Sequence, residues 1–103
     1  MSSSLRLAAA ASAREPAVAP EVWCFSVQAE PSAGLMPRLI ELFAKRNLVP
    51  TRWHSQLVSL AAPEIAIDLQ MAGIDGDLAR YIASCMRQVV GVSAVLISAK
   101  RSV

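Results

Sequence analysis

The sequence predicts an α+β sandwich, a four-stranded antiparallel sheet with two helices on one face, in the order β-α-β-β-α-β. Three observations carry this. Short stretches alternate apolar and polar residues at period two, while two longer ones repeat at helical spacing, and the two kinds interleave. Each helical stretch has a single apolar stripe, so both must pack on the same face of the sheet. Hydrophobic residues make up 54% of the 103, enough for one core and one domain.

The periodic pattern begins at Glu21. In EVWCFSVQA, Trp23, Phe25, Val27 and Ala29 share one face, and Val22, Cys24, Ser26 and Gln28 the other, which predicts a strand with one strongly apolar side. The next segment changes period. Met36, Leu39, Ile40 and Phe43 recur at i, i+3, i+4 and i+7, the stripe of an amphipathic helix. Pro37 lacks an N–H and fits only among the first four helical residues, so the cap falls at Ala33 or Gly34. Lys45 and Arg46 sit at the far end, where the helix dipole favours cations, and Asn47 serves as the stop.

Leu48–Ser59 reads as a weaker second strand that Pro50 either confines to a sheet edge or delays. Ala61, Ala62 and Pro63 make a turn. EIAIDLQM then places Ile65, Ile67, Leu69 and Met71 on a core face and Glu64, Ala66, Asp68 and Gln70 on a wet one, as antiparallel sheets allow. Asp75 caps a second helix and Asp77 adds negative charge to its first turn. Leu78, Ile82, Cys85, Met86 and Val89 form its stripe, and Arg87 and Gly91 mark its end. VSAVLISA is the last strand, before a basic tip at Lys100 and Arg101. The elements assemble into a ferredoxin-like βαββαβ sandwich over residues 21–101. Residues 1–20, rich in Ala and Ser and closed by Pro16 and Pro20, read as a flexible low-complexity tail, with a faint likeness to a transit peptide.

Composition removes several function classes. Net charge is +2 and the ten basic residues are scattered, so no basic stripe for nucleic acid forms. Apolar runs stop short of the ~20 residues of a membrane span, and the expected location is the cytoplasm. Cys24 and Cys85 form no CxxC pair and read as reduced, buried small hydrophobes, although their count alone leaves a disulfide open. The only histidine, His54, has no ligand cluster around it, so neither metal nor cofactor is expected.

Catalysis finds no constellation either. The wet face of the third strand carries Glu64, Asp68 and Gln70 where RNA-binding sheets carry aromatics for base stacking. The first loop, AEPSAG, has no Cys pair for metal carriage and a single glycine, short of a phosphate cradle. His54 has Arg52, Trp53 and Ser55 nearby, but nucleophile, base and orienter do not converge. The protein is therefore expected not to be an enzyme. One loop has suggestive mechanics. Glu30 to Leu35 delivers Ser32, Ala33 and Gly34 onto free backbone N–H groups and a positive dipole end, a cradle for a carboxylate such as an amino acid's. The competing reading is that Gly34 only caps a helix.

At this loop the sequence resembles the ACT domain family, most nearly the small regulatory subunits of acetolactate synthase. Gly34, Arg38, Phe43 and Arg46 stand at the spacing of that family's Gly-x-Leu-x-Arg…Leu-Phe…Arg stretch, with Met36 in the Leu position and Leu42 before Phe43. Val89 to Val95 resembles the entry to the family's last strand. The resemblance implies a regulatory domain of branched-chain amino-acid biosynthesis that binds a small amino-acid effector between paired domains and acts on a large catalytic subunit. It implies a ligand site at Pro31, Ser32, Ala33, Gly34, Leu35 and Val49. Pro31 and Val49 occupy places where that family carries asparagines, and Asn47 one where glycine is common.

A homodimer is also expected, because a small sheet leaves strand edges that natural proteins cover or pair. Trp53, on the edge strand, is the candidate interface residue, with an ordinary core aromatic as its other reading. The alternative function is a ligand-free dimerisation or protein-interaction module of the same fold.

Overall fold

A computed structural model of the protein describes residues 21–59 and 61–101, and the expectations for residues 1–20 lie outside them. The elements are β1 (Glu21–Ala29), α1 (Leu35–Ala44), β2 (Arg52–Ser59), β3 (Glu64–Ala72), α2 (Gly76–Arg87) and β4 (Val92–Arg101). The strands form one antiparallel sheet in the order β2-β3-β1-β4. Both helices cover one face of it. This is the predicted ferredoxin-like βαββαβ sandwich.

Register places the apolar residues of all four strands on the helix side. Phe25 stands between Leu69 and Ile97, and Val27 between Ile67 and Val95. On the edge strand Trp53 is opposite Leu69. α2 lies against β4 and β1 and packs on α1, which leaves α1 the β3 and β2 half of the sheet. Phe25, Val27, Leu35, Leu39, Phe43, Ile67 and Ile82 are all at most 1% exposed. Each such side chain contributes about 1.5–3 kcal/mol by leaving water. Phe25 and Phe43 meet edge to face, with centroids 5.8 Å apart and planes at 86°, the geometry their ring quadrupoles favour.

The helix ends follow local chemistry. Gly34 is the N-cap of α1, and Pro37 falls in its first turn, where the missing N–H removes no helical bond. Asn47 takes the left-handed conformation at φ 59, and the Leu48 N–H closes back on the Phe43 carbonyl at 2.9 Å. Asparagine tolerates that conformation better than most residues, hence the stop. Arg46 donates to the Leu42 carbonyl at 2.8 Å and lies 5.2 Å over the Tyr81 ring, tying the end of α1 to α2. At the start of α2 the Asp75 carboxylate accepts from the Leu78 N–H at 2.8 Å. Asp75→Ala should cost about 1 kcal/mol, read by chemical denaturation. A loss indistinguishable from zero would show that the cap does not hold the helix.

Both helices are rotated from the stripes the sequence suggests. On α1 the buried residues are Leu35, Leu39 and Phe43, while Ile40 is 45% exposed. On α2 they are Ala79, Ile82, Ala83 and Met86, while Leu78, Cys85 and, past the helix end, Val89 are only half-buried. For α2 the reason is steric: it approaches the sheet along its smallest side chains, Ala79 and Ala83, and a search for large apolar residues passes over alanine. The outer flank of α1 meets no other element among the described residues, so Ile40 stays in water.

The cysteines also depart from expectation. Both are half-buried rather than buried, and both are free. Cys24 is on the helix-free face and Cys85 is on a helix across the sheet, so they cannot pair. Trp53 is half-buried on the helix side of β2 and packs against the core. β2 begins only after Pro50, and the Thr51 N–H continues its pairing by donating to the Gln70 carbonyl at 2.8 Å. Among the described residues no helix is long and apolar enough to cross a membrane.

Candidate functional site

The loop between β1 and α1 leaves a central strand and enters a helix, so both of its ends are held by rigid elements. Its first residue is anchored: the Glu30 N–H donates to the Gly91 carbonyl at 2.9 Å. Gly91 sits at φ 98, a conformation that strains any side-chain-bearing residue, and it turns the chain from α2 into β4 beside the loop. The loop closes on itself where the Leu35 N–H donates to the Ser32 carbonyl at 3.2 Å. Among the described residues, Ser32, Ala33, Gly34 and Met36 have no backbone acceptor for their N–H groups. Pro31, Ser32 and Ala33 are exposed and Gly34 is half-buried.

Charge at this helix start runs opposite to habit. The first turn of α1 has no acidic residue and Gly34 offers no side-chain cap, so neither offsets the positive end of the dipole. Arg38, one turn on, folds its guanidinium back over Gly34. A Cβ at that glycine would stand 2.7 Å from Nη1. From the sequence the cradle was read on the loop backbone alone, without Arg38. Its i+4 spacing from the cap was the available signal. The result is a small exposed surface where free N–H groups and a guanidinium converge, which suits a carboxylate or another small anion.

The remaining site residues divide. The Leu35 side chain is 1% exposed in the core, so only its backbone belongs to the loop. Val49 is 78% exposed and lies beyond the opposite end of α1, a helix about 15 Å long. Within one chain the structure therefore does not bring Val49 to Gly34. Trp53 is the second residue of β2, at the Val49 end, paired with Leu69.

His54 is exposed and faces Asp68 across β2 and β3, on the helix-free side. Among the described residues no group of three or more His, Cys, Asp or Glu is placed to hold a metal. A concavity of about 700 Å³ lies on the same helix-free side, with Cys24, Ser26, Arg52, Asp68, Gln70 and Leu96 in its lining.

Solved structures share the architecture. The ACT domain of GTP pyrophosphokinase from Chlorobium tepidum superposes with a TM-score of 0.62 at 13% identity, covering 77% of this chain and 99% of that one. An uncharacterised protein from Thermotoga maritima gives 0.63 at 13% identity, covering 80% and 99%. A formyltetrahydrofolate deformylase from Pseudomonas putida gives 0.58 at 13% identity, covering 77% of this chain but 29% of the enzyme. At such identities the likeness is one of fold. No curated protein matches the chain. The family model described as an ACT-like domain matches residues 19–102, which takes in every element from β1 to the end of β4, and the chain therefore belongs to the ACT-like domain family.

Proposed function

We propose that this ACT-like domain is a non-catalytic regulatory subunit that binds a small amino acid between two paired copies and acts on a larger enzyme of amino-acid metabolism, of the acetolactate synthase type. The observation that carries the reading is the start of α1: unsatisfied N–H groups, no acidic residue, and the Arg38 guanidinium laid over Gly34. An amino acid's carboxylate is the simplest ligand for that combination.

Pairing supplies the rest. β2 is a sheet edge; on it Leu57 is 55% exposed on the helix side of the sheet, and Ile40 on α1 is 45% exposed. Joining two β2 edges antiparallel about a two-fold axis covers this surface and Trp53. It also reverses one copy end for end, so the partner's Val49 end approaches the Gly34 loop. The site is split within one chain and completed by the dimer. The deformylase and the pyrophosphokinase each carry the same fold as part of a larger protein, which supports a role exerted on an attached or associated enzyme.

The test is thermal melting of the full chain against a panel of amino acids at millimolar concentration. A ligand held only by the folded state at 100 times its dissociation constant adds about 2.7 kcal/mol. Wild type should respond to one amino acid, and Arg38→Gln should remove the response while melting normally without ligand. Gly34→Ala should also fold, because φ is −85 there and the atom in the way is the end of a flexible side chain. It should weaken binding by displacing the guanidinium. A response that survives Arg38→Gln would place the ligand elsewhere. No response to any amino acid would favour the ligand-free dimerisation module. That second reading draws on Pro31 and Val49, which bring no side-chain amide to the site.

A further inference from the structure

The side of the sheet away from the helices carries no other element among the described residues. Small residues such as Cys24, Ser26 and Ser98 line its concavity. Leu96, opposite Ser26, is 71% exposed there.

Charge on this face is sorted along the strands. At one end Lys100 stands opposite Val22, and Arg52 opposite Gln70. At the other end Glu64 and Glu30 line one cleft of about 310 Å³ beside Ser93. Glu64 and Gln70 lie on the same strand, so the two ends are about 20 Å apart. Asp68 and His54, opposite each other, lie between them.

A face with a basic end and an acidic end complements itself when a two-fold axis runs in its plane, across the strands, near the row of Ser26 and Asp68. That rotation lays Lys100 over the mate's Glu30 cleft, sets Arg52 toward the mate's Glu64, and places Leu96 on its own mate. We propose that the helix-free face pairs with the same face of a second copy of this chain, sheet against sheet. Packed sheets lie about 10 Å apart. The paired area is roughly 500 Å² per copy and about 1,000 Å² in all, from strand spacing and rise, at the low end for specific interfaces. The association is therefore weak, and it weakens further with salt. Asp68 lies close to its own mate across the axis and opposes the pairing. This contact is distinct from β2 edge pairing and does not depend on it: Lys100 and Leu96 are on β4, the far edge from β2.

Sedimentation equilibrium of the full chain at low salt tests the proposal, with Lys100→Glu, Glu30→Lys, the two combined, and Leu96→Glu. Each single charge reversal should weaken self-association fivefold or more, since every dimer contains the pair twice. The combined variant exchanges the ends and should regain wild-type association, as should an equimolar mixture of the two single variants. Leu96→Glu should weaken it in all backgrounds. Self-association that ignores Lys100, Glu30 and Leu96 but is lost in Trp53→Glu would assign the dimer to the β2 edge and overturn the proposal. A wild-type chain that stays monomeric at low salt would overturn it too.

Discussion

Phe43→Ala is expected to lower the unfolding free energy by about 3–5 kcal/mol, the range for emptying a buried aromatic site. Phe43 is fully buried at the last turn of α1 and places its ring edge to face with Phe25 of the central strand. Phe25 lies between Leu69 and Ile97, so the ring joins α1 to the middle of the sheet. Close packing limits how far the surroundings can collapse into the space. Small domains have only about 5–15 kcal/mol in total, so the variant should unfold at much lower denaturant with an unchanged slope. The Leu48 N–H also closes on the Phe43 carbonyl, but that backbone contact survives the substitution. The loss therefore measures the ring. Urea denaturation followed by tryptophan fluorescence reads it, and a loss under about 1 kcal/mol would mean the ring is not packed as described.

Ala83→Leu is expected to cost about 1–3 kcal/mol by overpacking. Ala83 and Ala79 are fully buried on α2, which lies against β1 and β4. Larger side chains there push the helix from the sheet or force strained rotamers. The Arg87 guanidinium, donating to the Val95 carbonyl at 2.8 Å, fixes the far end of α2 on β4 and limits sliding. Serine at the exposed neighbour Ser84 makes a control: Ser84→Leu should change stability by less than about 0.5 kcal/mol, as surface substitutions do. Equal effects at the two positions would mean that the alanines do not line the contact.

The two variants mark the limit of what alternation and spacing reveal. Phe43 was legible because a large apolar residue at helical spacing has few places to go except the core. Ala79 and Ala83 were not, because alanine is compatible with either face of a helix and only the distance between helix and sheet decides. The candidate loop shows the same division. Ser32, Ala33 and Gly34 were legible as a turn onto a helix start, since Pro37 limits where that helix begins. The guanidinium over Gly34 was not, because Arg38 points by rotamer and not by sequence. Leu35, legible as a neighbour of the site, turns its side chain into the core.

The sequence by itself determined the element order, the extent of β1 and the faces of β1 and β3, while Pro50 left β2 open between an edge position and a late start. These follow from period, capping and the missing proline N–H, all of which act within a few residues. Tertiary structure decided the rotation of the helices, the separation of Val49 from the Gly34 loop, and the sorting of Lys100 and Arg52 away from Glu30 and Glu64. Each of these depends on which strands become neighbours and in what register. Register is set by burial of apolar residues distant in the chain, an interaction that no local pattern contains.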